Sequence, residues 1–380
     1  MKICAIICEY NPFHNGHMHQ LREAKRVSGA DAVLCIMSGN FVQRGEAAIM
    51  SKFTRAKHAV LAGADAAIEL PTIFATSNAE LFAKGAIKIL SSIPSVNTLC
   101  FGAETADKNA FLNAAKLLNN ETEEISARIK ALTSTGMSYA KARAEAWKDI
   151  LPDNLLSSPN NILGVEYTRA ILSSKSCIDI LPIPRVGCGY NEENLQQNYS
   201  SASAIRLAIS KNEDPEDNLP NFVKNDLPTK LENKLETLEK YALLFKSPEK
   251  IASVCDCTEG LENALKKAAE SSKRLTDSLT SARYTSSRIR RIALQNLLNI
   301  DERLICNGLS NPLYLRILAV KKDAKDILSK LSEASYPLIA RPRDINVLSG
   351  ISKEVFAIDT FAEKVFGLLY TQEKNIDIFV

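Results

Sequence analysis

Short apolar runs alternate with amphipathic stretches over the first hundred residues, with a repeat of about thirty residues. The apolar runs cover residues 2–8, 32–37, 66–70 and 98–101, and helical periodicity covers 16–27, 51–61 and 79–90. Continuously apolar strands that alternate with helices are typical of a parallel sheet covered on both faces. The pattern therefore predicts an α/β fold with a doubly wound parallel sheet.

Helical periodicity dominates after residue 101. Residues 178–181 are one further strand candidate, and residues 204–210 a helix that follows it. A polar stretch over 211–225, with two prolines and several acids, then interrupts the pattern. We place a domain boundary there, which divides the chain into an α/β domain (1–225) and a mostly helical domain (226–380). In the second domain the pattern predicts helices over 231–245 and 283–298 and short strands over 336–340 and 356–359.

Composition narrows the class of protein. Hydrophobic residues make up 46% and charged residues 24% of the chain, which excludes global disorder and a coiled coil. Lys+Arg 47 against Asp+Glu 44 gives a net charge of only +3, too small to hold nucleic acid by bulk charge alone. No apolar run approaches the roughly 18 residues of a membrane span. The nine dispersed cysteines favour a reducing, cytoplasmic environment.

The turn after the first predicted strand carries the polar residues best suited to a ligand. Residues 9–17 (EYNPFHNGH) lie between that strand and the first predicted helix. Ligands of open α/β sheets bind at the carboxyl ends of the strands, and a helix N-terminus there attracts phosphate. His14 and His17 can stabilise charge that develops on phosphate oxygens, and Gly16 permits close approach of a nucleotide. This predicts a phosphate site with His14 and His17 as the catalytic residues.

Two other interpretations of these histidines stay open. All four histidines lie within the first 58 residues, yet a histidine in a turn often only caps it. A zinc site would need carboxylate or thiolate partners, which His14, His17 and His19 lack at ligand spacing, while Cys255 and Cys257 have no second pair. We therefore expect no metal ligands among these residues.

Motifs along most of the chain point to a family. Residues 14–17 (HNGH) are similar to the H-x-G-H signature of nucleotidyltransferases with a Rossmann-like fold. The further motifs are 9–17 as a whole, 37–41 (MSGNF), 43–46 (QRGE), 51–57 (SKFTRAK), 69–71 (ELP), 101–102 (FG), 158–164 (SPNNILG) and 283–285 (RYT). In this order they resemble the bacterial tRNA(Met) cytidine acetate ligase family from residue 3 to about residue 300, while the last 80 residues match loosely.

The resemblance implies a reaction in two steps. Enzymes of this family activate acetate with ATP as acetyl-adenylate and transfer the acetyl group to N4 of the wobble cytidine of elongator tRNA(Met). The implied partners are thus ATP, acetate and that tRNA, and Mg²⁺ is expected with ATP although no ligand set for it is legible. The implied ATP contacts are Ile7, Cys8, Glu9, Tyr10, Asn11, Pro12, Phe13, His14, Asn15, Gly16, His17, Met18, His19, Gln20, Gly102, Asn160 and Arg185.

The serine-rich segment 200–206 adds two candidates. It looks like the helix start that holds the β- and γ-phosphates in the H-x-G-H superfamily, which implies Ser203 and Arg206 as further ATP contacts. The alternative is an ordinary N-cap at Ser201 or Ser203. Both can hold, because a capped helix N-terminus can also face an anion.

A basic segment over 271–295 is the candidate RNA surface. Within it Arg283, Tyr284, Arg288, Arg290 and Arg291 are expected to bind tRNA, the arginines through phosphates and the tyrosine through a stacked base. The alternative is a solvated amphipathic helix.

A smaller basic cluster, Lys52, Arg55 and Lys57, follows the second predicted strand. It is either a further candidate for anion binding or a solvated helix face. The only tryptophan, Trp147, is expected in the core.

Two other functions compete with the ligase. A small-molecule adenylyltransferase would share the H-x-G-H site but not the basic C-terminal half. A nucleotide-dependent RNA-binding protein without catalysis would release no pyrophosphate.

Overall fold

The computed structural model describes residues 1–186, 199–228, 234–370 and 378–380. The strands in these ranges are β1 Ile3–Cys8, β2 Ala32–Ser38, β3 Phe41–Val42, β4 Glu46–Ala47, β5 Ala66–Leu70, β6 Val96–Ala103, β7 Asp179–Pro184, β8 Leu315–Val320 and β9 Leu338–Ile339. The first helices are α1 Asn15–Ser28, α2 Lys52–Leu61, α3 Thr72–Ala75, α4 Ala79–Ser91, α5 Lys108–Asn119, α6 Glu123–Ser134, α7 Tyr139–Trp147, α8 Pro159–Ser173 and α9 Ala202–Ser210. The later helices are α10 Asn221–Lys224, α11 Leu235–Phe245, α12 Pro248–Ala252, α13 Leu261–Ala269, α14 Leu275–Leu279, α15 Ser286–Leu298, α16 Glu302–Ser310, α17 Lys325–Ser332 and α18 Gly350–Leu369.

Seven strands form one sheet in the order β7-β6-β1-β2-β5-β8-β9. The five strands from β7 to β5 are parallel, which confirms the predicted doubly wound sheet, whereas β8 runs antiparallel to β5. Because β1 lies between β2 and β6, the strand order reverses at β1. The carboxyl ends of β1 and β6 therefore border the crevice where such sheets bind ligands.

The central strands are buried on both faces, as their continuous apolar runs predict. Along β1, Ile3 and Ala5 belong to one apolar cluster, whereas Cys4 and Ile6 belong to another. Successive side chains of a strand point to opposite faces, so the two clusters are the two layers that enclose the sheet. Trp147 lies in the first cluster, as expected.

The C-terminal half differs from the prediction in two places. The strand predicted over 356–359 is wrong, because these residues lie inside α18. Its buried positions Val355, Asp359, Ala362 and Phe366 recur every three or four residues, which is a helical period. The predicted strand near residue 338 is present as β9. Strand β8, for which the pattern gives no prediction, joins the sheet beside β5, so the sheet takes strands from both sides of residue 225.

Two of the three cations in the smaller basic cluster are buried and form no solvated face. The Lys52 ammonium lies 2.5 Å from a Glu69 carboxylate oxygen and 2.5 Å from one of Glu363, and Arg316 lies 3.2 Å from Glu69. These ion pairs join α2, β5, β8 and α18. Buried charges are tolerated when they are paired in this way.

Arg55 holds the loops at the carboxyl ends of the first two strands. Its guanidinium donates to the carbonyl oxygens of Glu9 and Gly39, and its Nε donates to that of Met50 at 3.1 Å. Only Lys57 of the cluster is exposed. Arg55 therefore stabilises the loops around the crevice from inside the protein.

The helices α11–α15 enclose an apolar cluster of their own. Leu243, Leu265, Ile289 and Ile292 are among its buried members, so Ile289 and Ile292 pack inward as the predicted amphipathic helix requires. The first residues of the predicted helix 231–245 lie outside the described residues. No helix in the described part of the chain is long and apolar enough to span a bilayer.

Candidate active site

A cavity of about 240 Å³ opens at the carboxyl ends of β1 and β6. The predicted ATP contacts that line it are Ile7, Cys8, Glu9, Tyr10, Asn11, His14, Gly16, His17, His19, Gln20, Gly102, Asn160, Arg185, Ser203 and Arg206. Four others, Pro12, Phe13, Asn15 and Met18, do not line it. The Phe13 ring is buried against Tyr10, and the Asn15 amide donates to the Asp217 carbonyl at 3.0 Å. Most of the predicted set thus surrounds one cavity.

Two histidine rings stand at the start of α1, where their hydrogen bonds fix the tautomer. His14 is the N-cap, and its Nδ1 accepts the Gly16 backbone N–H at 3.1 Å. The His17 Nδ1 accepts the His14 backbone N–H at 3.3 Å, and the two rings stack with centroids 3.6 Å apart. Because each Nδ1 accepts, each Nε2 carries the proton of a neutral ring. Two Nε2–H donors are therefore available to a ligand.

Burial keeps both histidines neutral. Burial first, and then the nearby Arg185 and Arg206 guanidiniums, together lower the pKa of His14 to about 3. Burial also lowers the pKa of His17 well below its usual value, with His14 and Arg185 acting in the same direction. Both rings therefore act at neutral pH as uncharged donors, while the arginines supply the positive charge.

Gly102 and Arg185 form one wall of the cavity. A side chain at Gly102 would meet the Arg185 stem at 3.4 Å and the Gln20 amide at 3.9 Å. The Arg185 backbone N–H donates to the Ala103 carbonyl at 3.2 Å, which extends the pairing of β7 with β6 and fixes where the side chain begins. Burial lowers the pKa of Arg185, and Glu104 opposes that shift.

Asn160 borders the cavity at the start of α8. Its amide donates to a Glu104 carboxylate oxygen at 2.6 Å, and the other oxygen of Glu104 accepts the Asn161 backbone N–H at 3.1 Å. Glu104 thus fixes the orientation of the Asn160 side chain.

The start of α9 has an ordinary N-cap at Ser201, and phosphate binding by Ser203 and Arg206 stays a prediction. Ser201 is the N-cap and accepts the Ala204 backbone N–H at 3.1 Å. Ser203 and Arg206 line the cavity, and the Arg206 guanidinium donates to the Asn11 carbonyl at 2.8 Å. The helix is therefore capped in the ordinary way and also carries a cation to the loop after β1.

Gln43 and Arg44 also line the cavity, although the sequence assigned them no role. The Gln43 backbone N–H donates to a Glu9 carboxylate oxygen at 2.8 Å, and burial raises the pKa of Glu9. Their only signal in the sequence is the motif 43–46. The remaining lining residues that sequence reasoning missed are Phe82, Phe101, Leu163, Tyr167, Ile183, Pro184, Val186, Tyr199, Ser200, Ser201 and Ala202.

The five predicted tRNA contacts lie together at and before the start of α15. Arg283 pairs with Glu259 at 3.0 Å, and the Tyr284 hydroxyl donates to the Glu259 carbonyl at 3.2 Å. Arg288 donates to the Asp256 carbonyl at 2.8 Å and lies over the Tyr284 ring, 5.2 Å from its centroid. All three thus have partners within the protein, and tRNA binding by them stays a prediction.

The other two arginines of this set join α15 to neighbouring loops. Arg291 lies 3.9 Å from a carboxylate oxygen of Asp256. Arg290 donates to the Arg44 carbonyl at 3.2 Å and pairs with Glu46 at 3.3 Å. Glu46 also lies 3.6 Å from Arg206, so it stands between α15 and the cavity. Binding of tRNA by Arg290 and Arg291 also stays a prediction.

Comparisons with a family model and with individual proteins indicate the same family. Residues 1–377 match the HIGH nucleotidyl transferase family. The tRNA(Met) cytidine acetate ligase of Acetivibrio thermocellus is 36% identical over 97% of this chain and 95% of its own length. That of Clostridium perfringens is 37% identical over 100% of this chain and 98% of its own.

Solved structures agree with the sequence relatives. The crystal structure of Thermotoga maritima TmcAL without ligand has a TM-score of 0.89 at 28% identity, over 98% of this chain and 96% of that one. The same protein bound with alpha-thio ATP has a TM-score of 0.87 at 28% identity, over 99% and 97%. This chain therefore belongs to the HIGH nucleotidyl transferase family and, within it, to the tRNA(Met) cytidine acetate ligases.

Proposed function

We propose that this protein activates acetate with ATP and acetylates N4 of the wobble cytidine of elongator tRNA(Met). The observation that carries the proposal is the pair of neutral histidine donors at the start of α1, inside a cavity at the point where the strand order reverses. Full-length similarity to tRNA ligases favours this reaction over a small-molecule adenylyltransferase.

In the first step an acetate oxygen bonds to the α-phosphorus of ATP. The bond from that phosphorus to the bridging oxygen breaks, and pyrophosphate leaves with the electron pair. The Nε2–H groups of His14 and His17 donate to the non-bridging α-phosphate oxygens, where charge increases in the transition state. Ser203 and Arg206 contact the β- and γ-phosphates, and Arg185 suits a phosphate because its planar fork can donate two hydrogen bonds at once.

In the second step the cytidine N4 bonds to the acetyl carbon. The bond from that carbon to the adenylate oxygen breaks, AMP leaves with the electron pair, and N4 loses one proton. Prior adenylation is required because free acetate is a poor acyl donor and AMP is a good leaving group.

Mg²⁺ is proposed to enter with the triphosphate. In the described ranges no three His, Cys, Asp or Glu side chains are grouped so that they could hold a metal ion. The phosphate oxygens of ATP and several water molecules would then supply its ligands, since Mg²⁺ gives up water reluctantly.

Residues 1–225 are proposed to carry adenylation and residues 226–380 to hold the tRNA. The helices α11–α15 support a separate role for residues 235–298, because they have an apolar core of their own and pack beside the loop that carries Arg44, while β8 belongs to the central sheet. A tRNA substrate also supports a cytoplasmic location.

Two measurements test the proposal. Purified enzyme with ATP should release pyrophosphate only when acetate is added, and mass analysis of the tRNA after incubation with labelled acetate should find one acetyl group on the wobble cytidine. A tRNA with uridine at that position is the control and should stay unmodified. Pyrophosphate release without acetate, or an unmodified cytidine, would contradict the proposal.

A further inference from the structure

Helix α11 exposes an apolar face that nothing in the described residues covers. Tyr241 is 70% exposed, Leu244 45% and Phe245 83%, at positions i, i+3 and i+4, which share one side of a helix. Leu235, Glu239 and Leu243 on the same helix are buried. Large apolar groups that cluster on a surface commonly mark an interaction site.

Positive charge surrounds this face. The Lys240 ammonium donates to the Ser271 carbonyl at 2.9 Å, and that of Lys266 donates to the Leu244 carbonyl at 3.0 Å. The Lys246 ammonium points toward α15 instead, because it donates to the carbonyl of the buried Asn296, and burial lowers the pKa of Lys246 to about 8. Within the described ranges neither Lys240 nor Lys266 is within ion-pair distance of a carboxylate. Carbonyl oxygens orient these two ammonium groups, and Glu249 acts on Lys266 only from a longer distance.

Most arginines of the basic segment differ in this respect. Arg283, Arg290 and Arg291 each lie within ion-pair distance of a carboxylate, from Glu259, Glu46 and Asp256 respectively. Their charge is thus largely compensated inside the molecule, whereas Arg288 donates to a carbonyl and a hydroxyl. The α11 face offers exposed aromatic rings beside two cations without an ion-pair partner, which is the combination that binds unpaired RNA.

The opposite side of α11 connects this face to the active site. Leu235, Glu236 and Glu239 line a second cavity of about 310 Å³, and Arg206 lines both this cavity and the first one. A nucleotide that stacks on α11 would therefore lie one helix away from the adenylating site. An anticodon loop supplies unpaired bases on both sides of its wobble base, so bases of the same loop can stack on α11.

We propose that the α11 face, formed by Tyr241, Leu244 and Phe245 with Lys240 and Lys266, binds unpaired nucleotides of the tRNA substrate. The aromatic rings stack on bases and the ammonium groups face phosphates. This inference rests on the proposed function, since it takes the substrate to be a tRNA.

The test uses the full chain and the variants Tyr241→Ala, Phe245→Ala and their combination. Each single variant should raise the Kd for the tRNA about tenfold, and the double variant more, because each removes one stacking platform. Acetate-dependent pyrophosphate release and the melting temperature should stay at the wild-type values, since both rings are exposed. Tyr139→Ala is the matched control, because Tyr139 is 61% exposed on α7, outside the proposed surface.

A second probe isolates the unpaired bases. Wild-type enzyme should bind an RNA stem–loop with a seven-base loop more tightly than a fully paired duplex of the same length, and the double variant should lose this preference. Equal binding of both RNAs by the wild type, or unchanged tRNA affinity in the double variant, would overturn the inference. So would sedimentation that shows a wild-type dimer and a monomeric double variant with unchanged RNA affinity, because a second copy would then cover the face.

The two proposals fail separately. Absence of acetate-dependent pyrophosphate release in the wild type would refute the proposed reaction and leave the RNA measurements interpretable. Normal acetylation by the double variant at low tRNA concentration would refute only the α11 surface.

Discussion

The start of α1 and the start of α15 both carry the residue types that sequence analysis selects for binding phosphate, but the structure uses them differently. At α1 the histidines bond to backbone groups two and three positions away, which leaves their Nε2–H groups to a ligand in the cavity. At α15 the arginines bond to other parts of the protein, and Arg290 reaches a carbonyl 246 positions away in the sequence.

The difference shows which signals a sequence carries well. In a short motif whose side chains form hydrogen bonds to backbone groups of the same turn, the local geometry fixes where the remaining donors point. The function of such a motif can therefore be predicted from a few residues. A run of cations has no hydrogen-bond acceptor within its own segment. Carboxylates from distant segments, namely Glu46, Asp256 and Glu259, form ion pairs with these arginines and so reduce the positive charge that a binding partner meets.

The largest expected effect is at the histidines. His14→Asn keeps an N-cap acceptor but removes the Nε2–H donor, and His17→Ala removes the second donor. Each should lower acetate-dependent pyrophosphate release about 100-fold, as expected when a donor to transition-state charge is lost. Thermal melting should show a folded protein in both cases. Near-normal rates in both variants would mean that the histidines only stabilise the turn. The polar side chains at the start of α1 would then, like the arginines of α15, serve the fold and not a ligand.

Gly45 tests how closely α15 packs on the loop that borders the cavity. A side chain there would lie 2.4 Å from the Arg291 backbone nitrogen, and φ is +72°. Gly45→Ala should lower the melting temperature and raise the KM for ATP, because Gln43 and Arg44 would move. Gly29→Ala is the matched control, since Gly29 has φ +59° with no atom near its side-chain position. The free energy of unfolding of Gly29→Ala should fall by only about 1 kcal/mol, because alanine is strained at a positive φ. Equal losses in the two variants would contradict the close packing.

Arg291 separates a structural from an RNA-binding cation. Its side chain is only 13% exposed beside Asp256, so Arg291→Gln should cost about 2 kcal/mol of stability in denaturant unfolding. Arg283→Gln, which changes an exposed ion pair, should cost less than about 1 kcal/mol. The opposite outcome is unchanged melting temperatures with a salt dependence of tRNA binding that falls by about one slope unit per variant. These arginines would then contact tRNA phosphates, and the contrast drawn between α1 and α15 would be wrong.

Arg185→Lys should raise the KM for ATP about tenfold and leave tRNA affinity unchanged. Lysine keeps the charge but loses the planar fork. Steady-state kinetics over a range of ATP concentrations measures the effect. Wild-type ATP affinity in both Arg185→Lys and Arg185→Ala would remove this residue from the site.

The last prediction concerns protonation of His14, which changes nothing at neutral pH. Its pKa of about 3 in the folded protein lies below the ordinary value of about 6.5, so the unfolded chain takes up the proton first as pH falls. Its contribution to stability is therefore complete above pH 6.5 and is lost as pH falls toward 3. Unfolding measured against pH in wild type and His14→Asn should converge on acidification. NMR should also show that the His14 ring does not titrate between pH 5 and 8.

The predictable part of the fold is the set of parallel strands in the first hundred residues. The apolar runs at β1, β2, β5 and β6 alternate with helices, so their parallel direction follows from the pattern, whereas the pairing of β6 with β1 does not. Strand β8 is apolar like these strands, but its partner β5 lies far earlier in the sequence. No local signal links the two, and residues 356–359 were similarly too short a window to reveal the period of α18.

The site divides in the same way. The residues from Ile7 to Gln20 come from one strand–turn–helix unit, and ten of them line the cavity. Glu104, which orients Asn160, has ordinary sequence surroundings. Glu46, which joins Arg206 to Arg290, lies in the motif 43–46, but the motif does not reveal these partners. Their roles come from contacts between separate elements, which one sequence does not encode as a pattern.

The antiparallel pairing of β8 with β5 also constrains how the protein is made. While the ribosome has synthesised only the first half of the chain, β5 is an edge strand whose outer backbone groups have no partner, and such edges promote aggregation. Pairing over so long a sequence separation is also slow. All residues that line the cavity precede β8 in the chain, so they are synthesised before the strand that covers the edge of β5. We therefore expect the yield of folded protein to depend on a strand that lies outside the cavity.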